Sequence, residues 1–143
     1  MKAKQLMAAR AHNAERLPIR AQEDVVLIRQ TVRDFAKQLG MSLVDQTKIV
    51  TAASEIARNT LIYGGGGWVR IEVLESNPRR GVRLIFEDQG PGIPDIERAL
   101  QDGFTTGNGL GLGLGGARRL SNEFEIVSRP GEGTRITLIR WKL

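Results

Sequence analysis

The stretch "FEDQGPGIP", Phe86 to Pro94, decides how the rest of the chain is read. It closes an alternating apolar and polar run, Gly81 to Asp88, of the kind that forms a β-strand. Asp88 is therefore expected at a strand end, with Gly90 and Gly92 following in the spacing D-x-G-x-G. A carboxylate so placed can accept a hydrogen bond from an exocyclic amine such as that of adenine, and the glycines let the backbone pass close beneath a base. The same residues also suit an ordinary Asx-type turn of glycine and proline. The neighbouring segments have to separate the two.

Upstream, "WVRIEVLE" (Trp68–Glu75) alternates in the same way and is joined to Gly81–Asp88 by "SNPRRG", which predicts an antiparallel hairpin. "LPIRAQEDVV" reads as a short strand entering a helix at Gln22 or Glu23. "VVLIRQTVRDFAKQLG" repeats apolar residues at helical spacing and stops at Gly40, a natural C′ glycine. "MSLVDQTKIVTAASEIARNTLIY" is a second helix, with Ser42 as N-cap and the run Gly64–Gly67 ending it. Downstream, "IPDIERALQ" reads as a short helix, Leu112 to Asn122 as another, and "EFEIVSRPGEGTRITLIRWKL" as a second hairpin turning at "PGEG". Helices followed by antiparallel strand pairs predict an α+β fold: a two-layer α/β sandwich with a mixed, mostly antiparallel sheet and helices on one face.

The 143 residues suffice for one domain with a real core, and no internal boundary or repeat is visible. The absence of cysteine excludes a disulfide framework and thiolate zinc, and fits a reducing compartment. His12 is the sole histidine, so a histidine base or multi-histidine metal site is not expected. No apolar run approaches the roughly 20 residues of a membrane span, and the N-terminus lacks the apolar block of a secretory signal. Of the formal net charge of +5, +4 falls in residues 1–22, leaving the body nearly neutral and without the basic, aromatic stripe of a nucleic-acid binder. The expectation is one domain over residues 1–143, with a basic, disordered arm over residues 1–16, in the cytoplasm, with neither nucleic acid nor membrane as partner.

"GFTTGNGLGLGLGGARRL" (Gly103–Leu120) contains G-x-G-x-x-G, but no strand precedes it and the hairpins around it are antiparallel, so the dinucleotide-fold reading fails on context. It lacks the Gly-Lys-Ser/Thr of a Walker A loop. What survives is a glycine backbone able to approach a phosphate, followed by a helix N-terminus. In "SEIARN", Glu55 and Asn59 lie four apart on a helix and share a face at the margin of a core side made by Ile49, Ala53, Ile56 and Thr60. Arg58 is expected to point outward. Such a pair can orient a hydroxyl or water and ligate Mg²⁺, or can be a solvated polar pair.

In order, "EIARN", "DQGPG", "GFTT…GLGLG" and "GEGT" resemble the four nucleotide-binding boxes of the GHKL ATPase superfamily over about Gln46 to Trp141. The superfamily includes gyrase-type ATPases, Hsp90, histidine kinases and the anti-sigma-factor kinases. The resemblance implies the Bergerat ATP-binding fold, with ATP and Mg²⁺ as cofactors. On that basis Asn59 would hold Mg²⁺, Asp88 would read the adenine amine, Gly90 and Gly92 would line the base, and Thr134 would support the site beside Asp88. Thr106, Gly109, Leu110, Gly111, Leu112 and Gly113 would form the lid over the phosphates. The lid stretch is richer in glycine than the family pattern.

With no second domain and no phosphoacceptor histidine in a dimerisation helix, the chain is most similar to the anti-sigma-factor serine/threonine kinases, in particular the RsbT-type switch kinases. That likeness implies phosphate transfer from ATP to a STAS-domain protein of a partner-switching, stressosome-type module, with Glu55 as base. It also implies activation of a PP2C-type phosphatase after release. The alternative is an anti-sigma factor that sequesters a sigma factor directly, on the same fold.

Overall fold

The computed structural model describes residues 10–101 and 113–142. In chain order the elements are β1 (Arg10–Ile19), α1 (Gln22–Gln38), α2 (Leu43–Ile62), β2 (Gly67–Ser76), β3 (Arg79–Asp88), α3 (Ile96–Ala99), α4 (Gly113–Arg119), β4 (Glu123–Ser128) and β5 (Thr134–Trp141). The strands form one sheet in the order β1-β2-β3-β5-β4.

Each helix begins and ends for a local reason. In α1 the Asp24 carboxylate reaches back to accept from the backbone N–H groups of Arg20 and Ala21, at 2.8 and 3.0 Å. Gly40, at φ 77°, then turns the chain out of the helix. Two residues later Ser42 Oγ accepts from the Asp45 N–H at 3.1 Å and starts α2. Val25, Ile28, Val32 and Ala36 of α1, and Ile49, Ala53 and Ile56 of α2, form buried stripes at helical spacing. They pack on the inward residues of the sheet, among them Val69, Ile71, Val82, Leu84, Phe86, Ile136 and Leu138. The period of two along each strand makes this possible, since alternate side chains all face the helices.

An ion pair fixes α2 against the sheet. Arg140 on β5 donates to Asp45 Oδ1 at 2.7 Å and to the Leu120 carbonyl at 3.0 Å. The Arg140 hydrogen bond holds the Asp45 carboxyl below the usual carboxylate range, although its burial opposes this.

The two-layer sandwich is as expected, with one refinement: all four strand pairings are antiparallel, so the sheet among the described residues is antiparallel throughout instead of mixed. Two elements differ from their sequence-based bounds. Strand β1 starts at Arg10, so residues 10–12, 15 and 16 of the presumed arm are paired to β2. The ladder shifts register between His12 and Glu15, with Asn13 at φ 50°, and this bulge hides the strand's alternation. Helix α4 ends at Arg119, short of Asn122, because Ser121 Oγ bonds the Ala117 carbonyl and Arg140 takes that of Leu120.

Candidate functional site

The C-terminal half of α2, the end of β3 and the start of β5 converge at one end of the sheet. Asp88 is the last residue of β3 and stands directly opposite Thr134, the first residue of β5. Asp88 Oδ1 accepts from the Gly90 N–H at 2.8 Å, the local turn that D-x-G produces. Burial raises the Asp88 carboxyl above its ordinary value, while the backbone N–H groups of Gly90 and Thr134 pull it back.

The backbone beside this carboxylate is glycine because nothing larger fits. A Cβ at Gly64 would stand 2.5 Å from Asp88 Cγ, and one at Gly90 would stand 2.8 Å from Gly64 Cα. Gly92, at φ 82°, backs onto the Arg129 carbonyl. Two loops are thereby stitched together: the Gly131 N–H donates to the Pro91 carbonyl at 2.8 Å, and the Ile93 N–H donates to Ser128 Oγ at 2.7 Å.

Ser128 is a residue that the sequence reading missed. Its hydroxyl lies 2.8 Å from Thr134 Oγ1 and 3.2 Å from the Gly133 carbonyl, so it joins the "PGEG" turn, the "DQGPG" loop and Thr134. The signal was available in the hairpin: Ser128 and Thr134 flank the turn, and pairing them places the two hydroxyls side by side. Gly64 was missed as a wall of the site and read only as a helix stop.

Along α2 the distance from Glu55 to the helix end at Ile62 is about 10 Å at the rise of an α-helix. Asn59 lies between, and its carbonyl accepts from the N–H groups of Tyr63 and Gly64 at 2.9 and 3.3 Å. The chain thus runs from Glu55 past Asn59 to the glycine against Asp88. The Asn59 side-chain amide has no hydrogen-bond partner among the described residues.

Glu55 is held at both oxygens. Arg58 donates to Oε1 at 3.1 Å and the Gly113 N–H to Oε2 at 3.3 Å, leaving the carboxylate side chain 13% exposed. Arg58, expected to point outward, instead folds back one turn onto the carboxylate. Arg118 and Arg119 lie exposed in the last turn of α4, at its opposite end from Gly113.

Of the sequence-based site residues, the structure brings Asp88, Gly90, Gly92 and Thr134 together at one end, and Glu55, Asn59 and Gly113 along the flank of α2. Thr106, Gly109, Leu110, Gly111 and Leu112 lie outside the described residues. The arrangement suits ATP in its parts: a half-buried carboxylate acceptor in a glycine-walled slot, and an amide along the helix without a hydrogen-bond partner among the described residues. Among the described residues no group of three or more His, Cys, Asp or Glu could hold a metal by itself. A single amide oxygen fits Mg²⁺, which keeps several waters and takes its other ligands from phosphates.

Comparison with known proteins gives the family. Residues 44–143 match the family model described as histidine kinase-, DNA gyrase B- and HSP90-like ATPase. The chain is 50% identical over 118 residues to the serine/threonine-protein kinase RsbT of Bacillus subtilis, covering 82% of this chain and 89% of that one. It is 38% identical over 120 residues to an anti-sigma F factor of Bacillus licheniformis, covering 78% and 80%. In fold it resembles the crystal structure of the RsbU and RsbW domains of a Mycobacterium tuberculosis protein, with a TM-score of 0.61 at 20% identity, covering 92% of this chain and 33% of that one. The chain belongs to the histidine kinase-, DNA gyrase B- and HSP90-like ATPase family, the GHKL superfamily, and within it to the anti-sigma-factor serine/threonine kinase group.

Proposed function

We propose that this kinase transfers the γ-phosphoryl group of ATP to a serine or threonine of a STAS-domain protein in a partner-switching module. Once released by that phosphorylation, it would bind and activate a PP2C-type phosphatase. The observation that carries the reading is Glu55: a carboxylate held at both oxygens, on the same helix face as Asn59. Phosphoryl transfer depends mainly on positioning and charge neutralisation. Asp88 and the glycine slot would fix the adenine, with Thr134 and Ser128 bracing the slot from behind. Thr106, Gly109, Leu110, Gly111, Leu112 and Gly113 would meet the phosphates, and Asn59 would hold Mg²⁺. When bound, that ion would neutralise charge on the phosphate oxygens. Glu55 would take the proton from the acceptor hydroxyl as the new P–O bond forms and the bond to ADP breaks. Acting with STAS proteins and phosphatases of this kind, it would work in the cytoplasm. No helix among the described residues is long and apolar enough to cross a membrane.

The test is transfer of label from γ-labelled ATP to a STAS partner. Glu55→Ala should abolish transfer and spare nucleotide binding, and full transfer by that variant would overturn the role of Glu55. The similarity to anti-sigma F factors supports a second reading, direct sequestration of a sigma factor. Co-purification with a sigma factor, and not with a STAS protein, would put that reading first.

A further inference from the structure

The flank of α2 that carries Glu55 is also a surface. Val44, Lys48, Glu55 and Ile62 are spaced by four and seven residues, so they line one face of the helix, with Arg58 beside them. Both ends of this face are apolar and open: Val44 is 62% exposed and Ile62 54%, and Leu43, 71% exposed, extends the open apolar surface round the helix from Val44. Between them the face is basic. Lys48 and Arg58 lie either side of Glu55, and Glu55 is its sole acid, already paired to Arg58. Asp45, in the first turn, is paired instead with Arg140.

We infer that this face, Leu43 and Val44 through Lys48 and Arg58 to Ile62, is the docking surface for the folded phosphoacceptor protein, which covers both apolar ends and sets an acidic surface against the cations. The inference rests on the kinase reading above and adds to it where the substrate sits and what it looks like.

Three arguments fix the occupant. An acceptor hydroxyl must reach Glu55, so the molecule bearing it necessarily lies over this flank and is continuous with whatever covers its ends. From Val44 to Ile62 the face spans about 27 Å, whereas a five-residue acceptor loop covers about 17 Å fully extended. A loop centred on Glu55 leaves Val44, about 16 Å away along the axis, to be met by the body of a domain. Finally, Lys48 and Arg58 against the single carboxylate Glu55 leave the face with a net positive charge, which favours a partner with acidic groups around its acceptor residue.

Exposed aliphatic side chains at the edge of a reaction site contribute to affinity when a partner buries them, not to the chemical step. Leu43→Ser/Val44→Ser, both at open positions, should therefore raise KM for a folded STAS-domain substrate about tenfold or more. The same double variant should leave kcat at saturating substrate and the ATP dissociation constant unchanged. Ile62→Ser, at the far end, should act in the same direction. Lys48→Glu should raise KM and flatten its dependence on ionic strength.

An unchanged KM in both apolar variants of a kinase whose wild type labels the substrate would overturn the docking inference alone. A wild type that labels no STAS protein would overturn the functional reading beneath it. If a second copy of this chain covers the face, the double variant would change the sedimentation coefficient and leave KM alone, which also overturns the inference.

Discussion

Replacing Gly64 with alanine tests the adenine end of the site more sharply than replacing the carboxylate itself. The added methyl would stand 2.5 Å from both Cγ and Oδ2 of Asp88. Ordinary carbon contacts begin near 3.5 Å, so the carboxylate has to retreat by about 1 Å. It has little freedom to do so. Its Oδ1 is tied to the Gly90 N–H at 2.8 Å, and a 1 Å displacement along that direction ends the hydrogen bond. Gly64 does not take a positive φ, so the substitution acts through space and not through backbone strain.

Overpacking of this kind costs about 1–3 kcal/mol of stability, a fall in Tm of roughly 3–10 °C for a domain of this size. Displacing the acceptor from an adenine amine forfeits a hydrogen bond to a charged group, about 1.5–3 kcal/mol, so ATP affinity should drop roughly 10- to 100-fold. The control lies one residue away. Gly65 has φ 73° and nothing within 4 Å of a built Cβ. Gly65→Ala should cost about 1–2 kcal/mol through left-handed backbone alone and leave ATP affinity at the wild-type value. Calorimetric titration with Mg-ATP and thermal melts of both variants separate the effects. Wild-type affinity in Gly64→Ala, or an equal loss in both, would refute the geometric argument.

Asp88→Asn should weaken ATP binding about tenfold or more, while raising the thermal stability of the nucleotide-free protein at neutral pH. The sign follows from burial, which raises the Asp88 carboxyl in the folded state. Its stability contribution is complete below the unfolded value and lost as pH rises through the folded one, so the ionised carboxylate costs stability at pH 7 and the amide does not. The advantage of the variant should shrink as pH falls through the folded value and be gone below about pH 4. Asp45 has the opposite sign: its carboxyl is lowered by the Arg140 hydrogen bond, so its stabilisation is lost as pH falls through the folded value. Asp45→Ala should cost about 1–3 kcal/mol in urea titrations at pH 7 by stranding a buried guanidinium, and a variant as stable as wild type would show that Arg140 finds another acceptor. Ser128→Ala should cost about 1–3 kcal/mol by leaving the Ile93 N–H unpaired; an unchanged urea midpoint would mean that water replaces the hydroxyl.

Much of the site was legible because its chemistry is local. Ser42, Gly40 and the apolar stripes of α1 and α2 follow from helix rules, and a helix automatically places Glu55 and Asn59 on one face. Asp88 and Gly90 form a turn within three residues. Other features depend on partners far away in sequence. Arg58 turns back along the helix because Glu55 lies one turn behind it, a choice that spacing alone does not settle. Strand β1 exists because β2 accepts it, bulge included, and residues such as Asn13, Ala14 and Glu15 carry no alternation to announce it. The role of Gly64 depends on β3 ending where α2 ends, which is a fact of the assembled sheet.

Asp88 and Thr134 face each other on a rung between β3 and β5, and β5 is an interior strand. Sliding that register by one residue would turn the inward core residues of β5, Ile136 and Leu138 among them, toward solvent. The pocket end and the core are therefore inherited together. Over evolutionary time a descendant can give up the nucleotide by a point change at Asp88 or at the glycines beside it. It cannot do so by gradual drift of the sheet, because the intermediates would not fold.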